Sequence, residues 1–283
     1  MAEPAFTTWE QAVQWLRQQP DQQALVMAAY YDDPLHDAAD RYWHSEEWQA
    51  IRAFLPAHGG NALDVGAGRG IASYALAKEG FQVCALEPDS SPLVGADAIR
   101  DLALTSKLPI QVTQEFSERL PFADSQFDVV FARAVLHHTK DLQAACREFL
   151  RVLKPGGHLI AVREHVISKP EDLPRFLQLH PLHSLYGGEN AFLLSQYEEA
   201  IRASGLQLHT VLAPLESPVN FAPHTLGTLQ AELATRVTRG IPGLKQLAQG
   251  LLAVPPLWRL ARGMLARVDH RPGRHYSFVA KRP

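Results

Sequence analysis

Two hydrophobic periods alternate along the chain, and the switches between them mark out its elements. Residues 8–19 and 41–55 predict helices; in the second, Tyr42, Trp48, Ile51 and Leu55 fall on one apolar stripe. The stretch between them, YYDDPLHDAAD, is polar and aromatic with a proline, and predicts irregular chain or short helical turns. From residue 62 the pattern becomes regular. Strands are predicted at 62–65, 81–86, 110–113, 127–132 and 158–162, separated by helices at 69–78 and 93–104 and by one that starts on an Asp141 cap and runs to residue 153. In that last helix Leu142, Ala145, Cys146, Phe149, Leu150 and Leu153 share a face, and Lys154-Pro155-Gly156-Gly157 stops it. Strands alternating with helices predict an α/β domain with a parallel sheet.

The rhythm then loosens. Residues 166–194, with three prolines and the Gly187-Gly188 pair, predict a long connection with short helical pieces. A helix at 195–204 and a strand at 206–212 follow, then a stretch at 214–274 with helical periodicity through 225–268, and a final strand in HYSFVAKRP. The expected organisation is an N-terminal helical cap over 1–56, a core over 57–213 and 275–283, and a helical insert or lid over 214–274.

Composition narrows the function classes. The 283 residues carry 27 basic and 30 acidic side chains, a net charge of -3, with no long block of one sign; a nucleic-acid partner is not expected. At 46% apolar, the chain can bury a core without disulfides, so Cys84 and Cys146 read as buried thiols in a reducing compartment. The start, MAEPAFTTWEQ, lacks a basic segment followed by an apolar one, and no window reaches 18 uninterrupted apolar residues. The expected location is cytoplasmic, without stable membrane insertion.

The segment LDVGAGRG places Gly66, Gly68 and Gly70 directly after a strand and before a helix. Glycines there let the backbone turn sharply and approach a ligand closely, and the helix start offers free N–H groups. Asp64 ends the first strand and Glu87 follows the second, at the same open end of the sheet. An acid in the Glu87 position can accept both hydroxyl protons of a ribose, so residues 61–87 predict an adenosine-containing cofactor.

These residues resemble the class I, seven-stranded S-adenosylmethionine-dependent methyltransferases, in particular the methyltransferase type 11 group. LDVGAGRG is similar to the family's first motif and ALEPD at 85–89 to its ribose-binding motif; ERLPFADSQFDVVFARAVLHH at 118–138 and REFLRVLKPGGHLIAVREH at 147–165 follow in the family's order. The resemblance spans roughly 45–213, with 276–282 as the final strand. It implies a three-layer α/β sandwich whose sheet is mostly parallel with an antiparallel final strand, and S-adenosyl-L-methionine as cofactor. It also implies that Gly66, Ala67 and Gly68 line the methionine and ribose, that Asp64 holds the amino end, that Glu87 binds the ribose hydroxyls, and that Pro88 or Asp89 meets the adenine edge. Phe116 stands where the family often has an aspartate for the adenine amino group; it can pack on the ring while Ser117, Glu118 or a backbone group supplies the polar contact. Arg133 falls where residues line the sulfonium side.

Methyl transfer needs an aligned nucleophile and, for a hydroxyl, somewhere for its proton to go. His137 and His138, after the fourth strand, are candidate bases, or else structural elements of the turn. Glu164 and His165, ending the fifth, are candidates for a substrate or proton-transfer role, or else brace the connection that follows. His180, His183, Tyr186, Glu189 and Asn190 could reach over the crevice, and Tyr30, Tyr31 and Trp43 either wall it or fasten the cap to the sheet. No CxxC or HExxH spacing predicts a metal. The insert, with Leu247, Leu251, Leu257, Leu260 and Leu265, fits an amphipathic lid; a homodimer contact and a membrane-surface contact are its alternatives. The reading is methyl transfer to a small-molecule acceptor, preferably at oxygen. Its alternatives are a noncatalytic cofactor-binding protein, transfer of another group from a modified S-adenosyl cofactor, or a protein or RNA methyltransferase.

Overall fold

The computed structural model describes residues 5–283. Its sheet contains β1 (Gly60–Val65), β2 (Phe81–Leu86), β3 (Ile110–Thr113), β4 (Phe127–Arg133), β5 (Leu153–Ile167), β6 (Phe192–Leu193), β7 (Gln207–Leu212) and β8 (Arg274–Lys281). The main path has seven strands in the order β3-β2-β1-β4-β5-β8-β7, and the two-residue β6 pairs with β5 off this path. β1 to β5 pair parallel with one another, while β8 runs antiparallel to both β5 and β7. The expected three-layer α/β sandwich with an antiparallel final strand is borne out. The strand order reverses between β1 and β4, which opens a crevice at the carboxyl ends of those strands.

Both faces of the sheet are covered. Helices Leu142–Val152 and Leu194–Ala203 bury Phe149, Cys146, Tyr197 and Ile201 against one face. The first begins on the expected cap, with the Asp141 carboxylate accepting from the Ala144 N–H at 2.9 Å. The other face packs Tyr42, Trp48, Ile51 and Leu76 onto Phe131 and Ile160. The helix expected over 41–55 is two helices, Leu35–Trp43 and Glu46–Arg52. Ser45 separates them, its Oγ accepting from the Trp48 N–H at 3.1 Å, so a residue in the middle of the periodic stretch acts as an N-cap. Pro34 likewise starts the first of these helices instead of breaking it, and Ala38, Ala39 and Tyr42 form its buried face.

β5 extends five residues beyond its expected end, with a register shift against β8 between Ala161 and Glu164. Arg163 sits at the shift with φ 62°. A bulge breaks the strict alternation of faces, and here it leaves Glu164 fully buried. The insert forms helices Leu226–Val237, Pro242–Leu252 and Pro255–Val268. Phe221, Leu229 and Trp258 make a small core beneath it. Among the described residues no helix is long and apolar enough to cross a membrane.

Candidate active site

A cavity of about 1350 Å³ opens at the carboxyl ends of β1, β2, β4 and β5. One wall, the candidate cofactor side, contains Asp64, Gly66, Ala67, Gly68, Glu87 and Pro88, with Phe116, Ser117 and Arg133 further round. The first six are brought together by the register of β1 on β2, which sets Val65 beside Leu86. Gly66 has φ 61°, and a Cβ on it would lie 2.8 Å from Val135 Cγ2, so this position requires glycine both for conformation and for space.

Glu87 spans the loop. Its Oε2 accepts from the Gly68 N–H at 2.7 Å and its Oε1 from the Asp89 N–H at 2.9 Å. Burial pushes its pKa up to about 7, against those stabilising N–H bonds. Asp64 accepts from Ser73 Oγ at 2.6 Å, and burial likewise raises its pKa to about 7. Two buried carboxylates facing a polar-rimmed crevice, with a glycine cradle beside them, match the hydroxyl and ammonium donors of an S-adenosyl group. The Arg69 Nε also lies buried in this wall without a partner. Phe116 is 61% exposed on the rim, a ring available to a flat adenine face.

Arg133 was placed by sequence only as a neighbour of the sulfonium side; the structure gives it a partner. Its Nε and Nη2 donate to the two oxygens of Glu47 at 2.7 and 3.1 Å. Burial alone weakens the cation, but Glu47 more than restores it and the Arg133 pKa lies above its ordinary value. Tyr30 and Tyr42 face the same guanidinium. Glu47 gave no sequence signal beyond a helical acid. Tyr30 and Tyr31 line the cavity, whereas the Trp43 indole donates to Glu79 at 2.8 Å and fastens the N-terminal helices to the helix Ile71–Lys78.

The opposite half of the cavity is rich in histidine: His137, His138, His165, His180 and His275 all line it, with Glu189. Glu164 does not reach it. Its Oε1 accepts from the Val135 and Leu136 N–H groups at 3.1 Å, and its Oε2 from the His137 N–H at 3.1 Å and Nδ1 at 2.7 Å. The carboxylate thus holds the turn Leu136–His138 in place. Burial opposes a charge on His137, yet the carboxylates of Glu164 and Glu189 outweigh it and raise the pKa to about 9. His165 goes the other way: burial and the His137 cation lower it to about 3. His138 is also lowered, by burial and then by His137. Glu189 is drawn down to about 2; burial resists, and His137, His180 and His138 prevail. His183 and Asn190, expected over the crevice, are not among the lining residues, while Tyr186 is.

Residues 63–161 match the family model of the methyltransferase domain. That stretch runs from within β1 into β5 and contains the glycine loop, Glu87 and Arg133. Over residues 63–161 the chain carries a class I S-adenosylmethionine-dependent methyltransferase domain. This methyltransferase is 27% identical over 192 residues to the O-methyltransferase resE of Aspergillus sclerotiorum, covering 65% of this chain and 69% of that one. It is 32% identical over 173 residues to the ubiquinone/menaquinone biosynthesis C-methyltransferase UbiE of Shewanella frigidimarina, covering 56% and 66%. Across the bacterial quinone methyltransferases it matches, the chain spans 52% to 66% of their length. In fold it resembles geranyl diphosphate C-methyltransferase from Streptomyces coelicolor A3(2), with a TM-score of 0.59 at 17% identity, covering 94% of this chain and 87% of that one.

Proposed function

We propose that this methyltransferase transfers a methyl group to an oxygen of a small, hydroxylated aromatic or enolic acceptor, with His138 taking the acceptor proton. The observation that carries the reading is the histidine-lined half of the cavity, facing the cofactor wall. Bound S-adenosylmethionine supplies an electrophilic methyl group there; the residues of the chain orient the acceptor and manage its proton. The His138 ring is fixed through Nδ1, which sits 3.0 Å from the Gly188 carbonyl, so Nε2 carries the lone pair. Its side chain is 43% exposed, which gives a proton a route to water. His137 and Glu164 are occupied with each other and with the turn, and act as positioning residues. His165, held by the Gly273 carbonyl at 3.0 Å, presents its Nε2 to the acceptor side. Trp9, Tyr31, Phe176 and Tyr186 give this half aromatic walls suited to a flat acceptor. Likeness to resE supports oxygen as the nucleophile, and likeness to UbiE supports carbon as the second reading.

On the cofactor wall, Glu87 accepts from the ribose, Asp64 from the amino end, and Phe116 with Ser117 meets the adenine. The insert supports a homodimer contact, since Leu247, Leu257 and Leu260 are exposed on its helices. Incubation with methyl-labelled cofactor and a panel of phenols and quinols tests the reaction. Labelled methyl ethers, lost in His138→Gln with unchanged affinity for S-adenosylhomocysteine, support it. Label on ring carbon moves the reading to C-methylation, and full turnover in His138→Gln removes His138 as the base.

A further inference from the structure

The acceptor half holds a second arrangement that proton transfer does not use. Among the described residues, one group of metal-competent side chains has donor atoms all within 4.8 Å of one another: His137, His165 and Glu189. They come from three separate pieces of chain, the turn after β4, the end of β5 and the loop before β6. The orientation of each imidazole is fixed from behind. Nδ1 of His137 meets Glu164 at 2.7 Å and Nδ1 of His165 meets the Gly273 carbonyl at 3.0 Å. Since a carbonyl or carboxylate can only accept, each Nδ1 carries a proton and each Nε2 turns to the cluster, where a bound ion would take the place of the second proton of the His137 cation. Carboxylate- or carbonyl-backed histidine is the outer-shell pattern that orients metal ligands.

The centre of the group lacks a partner of its own. Glu189 Oε2 is buried without a hydrogen bond, and its nearest approaches are 3.7 Å to His137 Nε2 and 3.8 Å to His138 Nε2. Those gaps are too long for hydrogen bonds. The Glu189–His137 gap is a few tenths of an ångström wider than the separation of about 3.0–3.4 Å between neighbouring donors that each lie about 2.0–2.2 Å from one ion, and the whole group stays within 4.8 Å. Two imidazoles and a carboxylate on one side of an ion leave its other positions open, and this donor set suits first-row divalent metals better than Mg²⁺ or Ca²⁺.

We propose that His137 Nε2, His165 Nε2 and the Glu189 carboxylate bind a divalent transition metal whose open positions take the acceptor oxygen. The assignment of the oxygen rests on the reading of this half as the acceptor site; the metal site itself does not. A coordinated hydroxyl is held in place and made more acidic, its proton leaving through His138.

The full-length protein, stripped with chelator and titrated with Zn²⁺ by calorimetry and with Co²⁺ by visible absorption, tests this. One equivalent is expected, with a Co²⁺ spectrum of nitrogen and oxygen ligation and no comparable binding of Mg²⁺. Glu189→Gln, in a loop, and His165→Gln should each weaken Zn²⁺ by more than about tenfold, while His209→Gln, on an exposed strand position, should not. Binding that is equally tight in Glu189→Gln and His165→Gln, or no binding to the folded wild-type protein, overturns the metal site. S-adenosylhomocysteine binding to the same stripped sample separates this failure from failure of the cofactor reading. If the metal binds but an oxygen acceptor leaves the Co²⁺ spectrum unchanged, the assignment of the open positions is overturned.

Discussion

Replacing Glu164 with glutamine keeps the shape of the side chain and removes half of its capacity to accept hydrogen bonds. Glu164 is fully buried and receives four donors, two on each oxygen. An amide nitrogen cannot accept. With nitrogen in the Oε1 position the Val135 and Leu136 N–H groups lose their acceptor; with nitrogen in the Oε2 position the His137 N–H and Nδ1 lose theirs. Each unpaired buried donor costs about 1–3 kcal/mol, so the variant should be destabilised by roughly 2–6 kcal/mol. That is a large share of the roughly 5–15 kcal/mol by which proteins are stable. Urea unfolding followed by tryptophan fluorescence and by circular dichroism measures it. S-adenosylhomocysteine affinity should fall as well, because Val135 packs where the Gly66 backbone passes. A loss below about 0.5 kcal/mol, within the range of ordinary surface substitutions, would refute the bracing role.

Cofactor affinity should depend on pH through the two buried acids. Their ordinary values are 3.8 for Asp64 and 4.5 for Glu87, and both are raised to about 7. The folded protein then holds more protons than the unfolded chain between about pH 4 and 7, so this contribution lowers stability as pH rises through that window and is constant above it. S-adenosylhomocysteine binding favours the ionised acids and should strengthen from pH 6 to 8 in calorimetry, less steeply in Glu87→Gln; a flat wild-type profile contradicts the roles of both acids. Gly66→Ala should reduce cofactor affinity by about tenfold or more, given a positive φ and a clash that together cost on the order of 1–3 kcal/mol; unaltered affinity in a fluorescence titration would count against the close approach. Leu247→Asp combined with Leu260→Asp should convert a dimer to a monomer in sedimentation without a change in melting temperature, and an identical sedimentation coefficient removes the dimer contact.

The parts of this molecule that could be read in its sequence are those where function depends on neighbours in the chain. The glycine loop, its flanking strands, the Asp141 cap and the final strand each carry a local signal, and each lies where that signal put it. The parts that were misread depend on distant partners. Residues 41–55 look continuous because their apolar stripe survives the break at Ser45, where a single hydroxyl ends one helix and begins the next. Glu164 resembles a reactive acid at a strand end until the bulge in β5 buries it under three backbone N–H groups. The meeting of His137, His165 and Glu189 has no signature at all, since their separations along the chain follow no metal-binding spacing and only the fold brings them together.

Arg69 gives one feature of the glycine loop a wider reach. Its Nη1 donates to the carbonyls of Tyr30 and Asp32 at 3.0 and 2.9 Å, and its Nη2 pairs with Asp33. The same guanidinium is buried in the cavity wall, so the glycine loop and the segment 30–33 that lines the cavity are tied to each other through one side chain. Damage at 30–33 therefore has a misleading phenotype. A lesion there frees a buried cation beside the glycine loop, and the enzyme would register it first as a higher KM for S-adenosylmethionine, with acceptor preference altered only in second place.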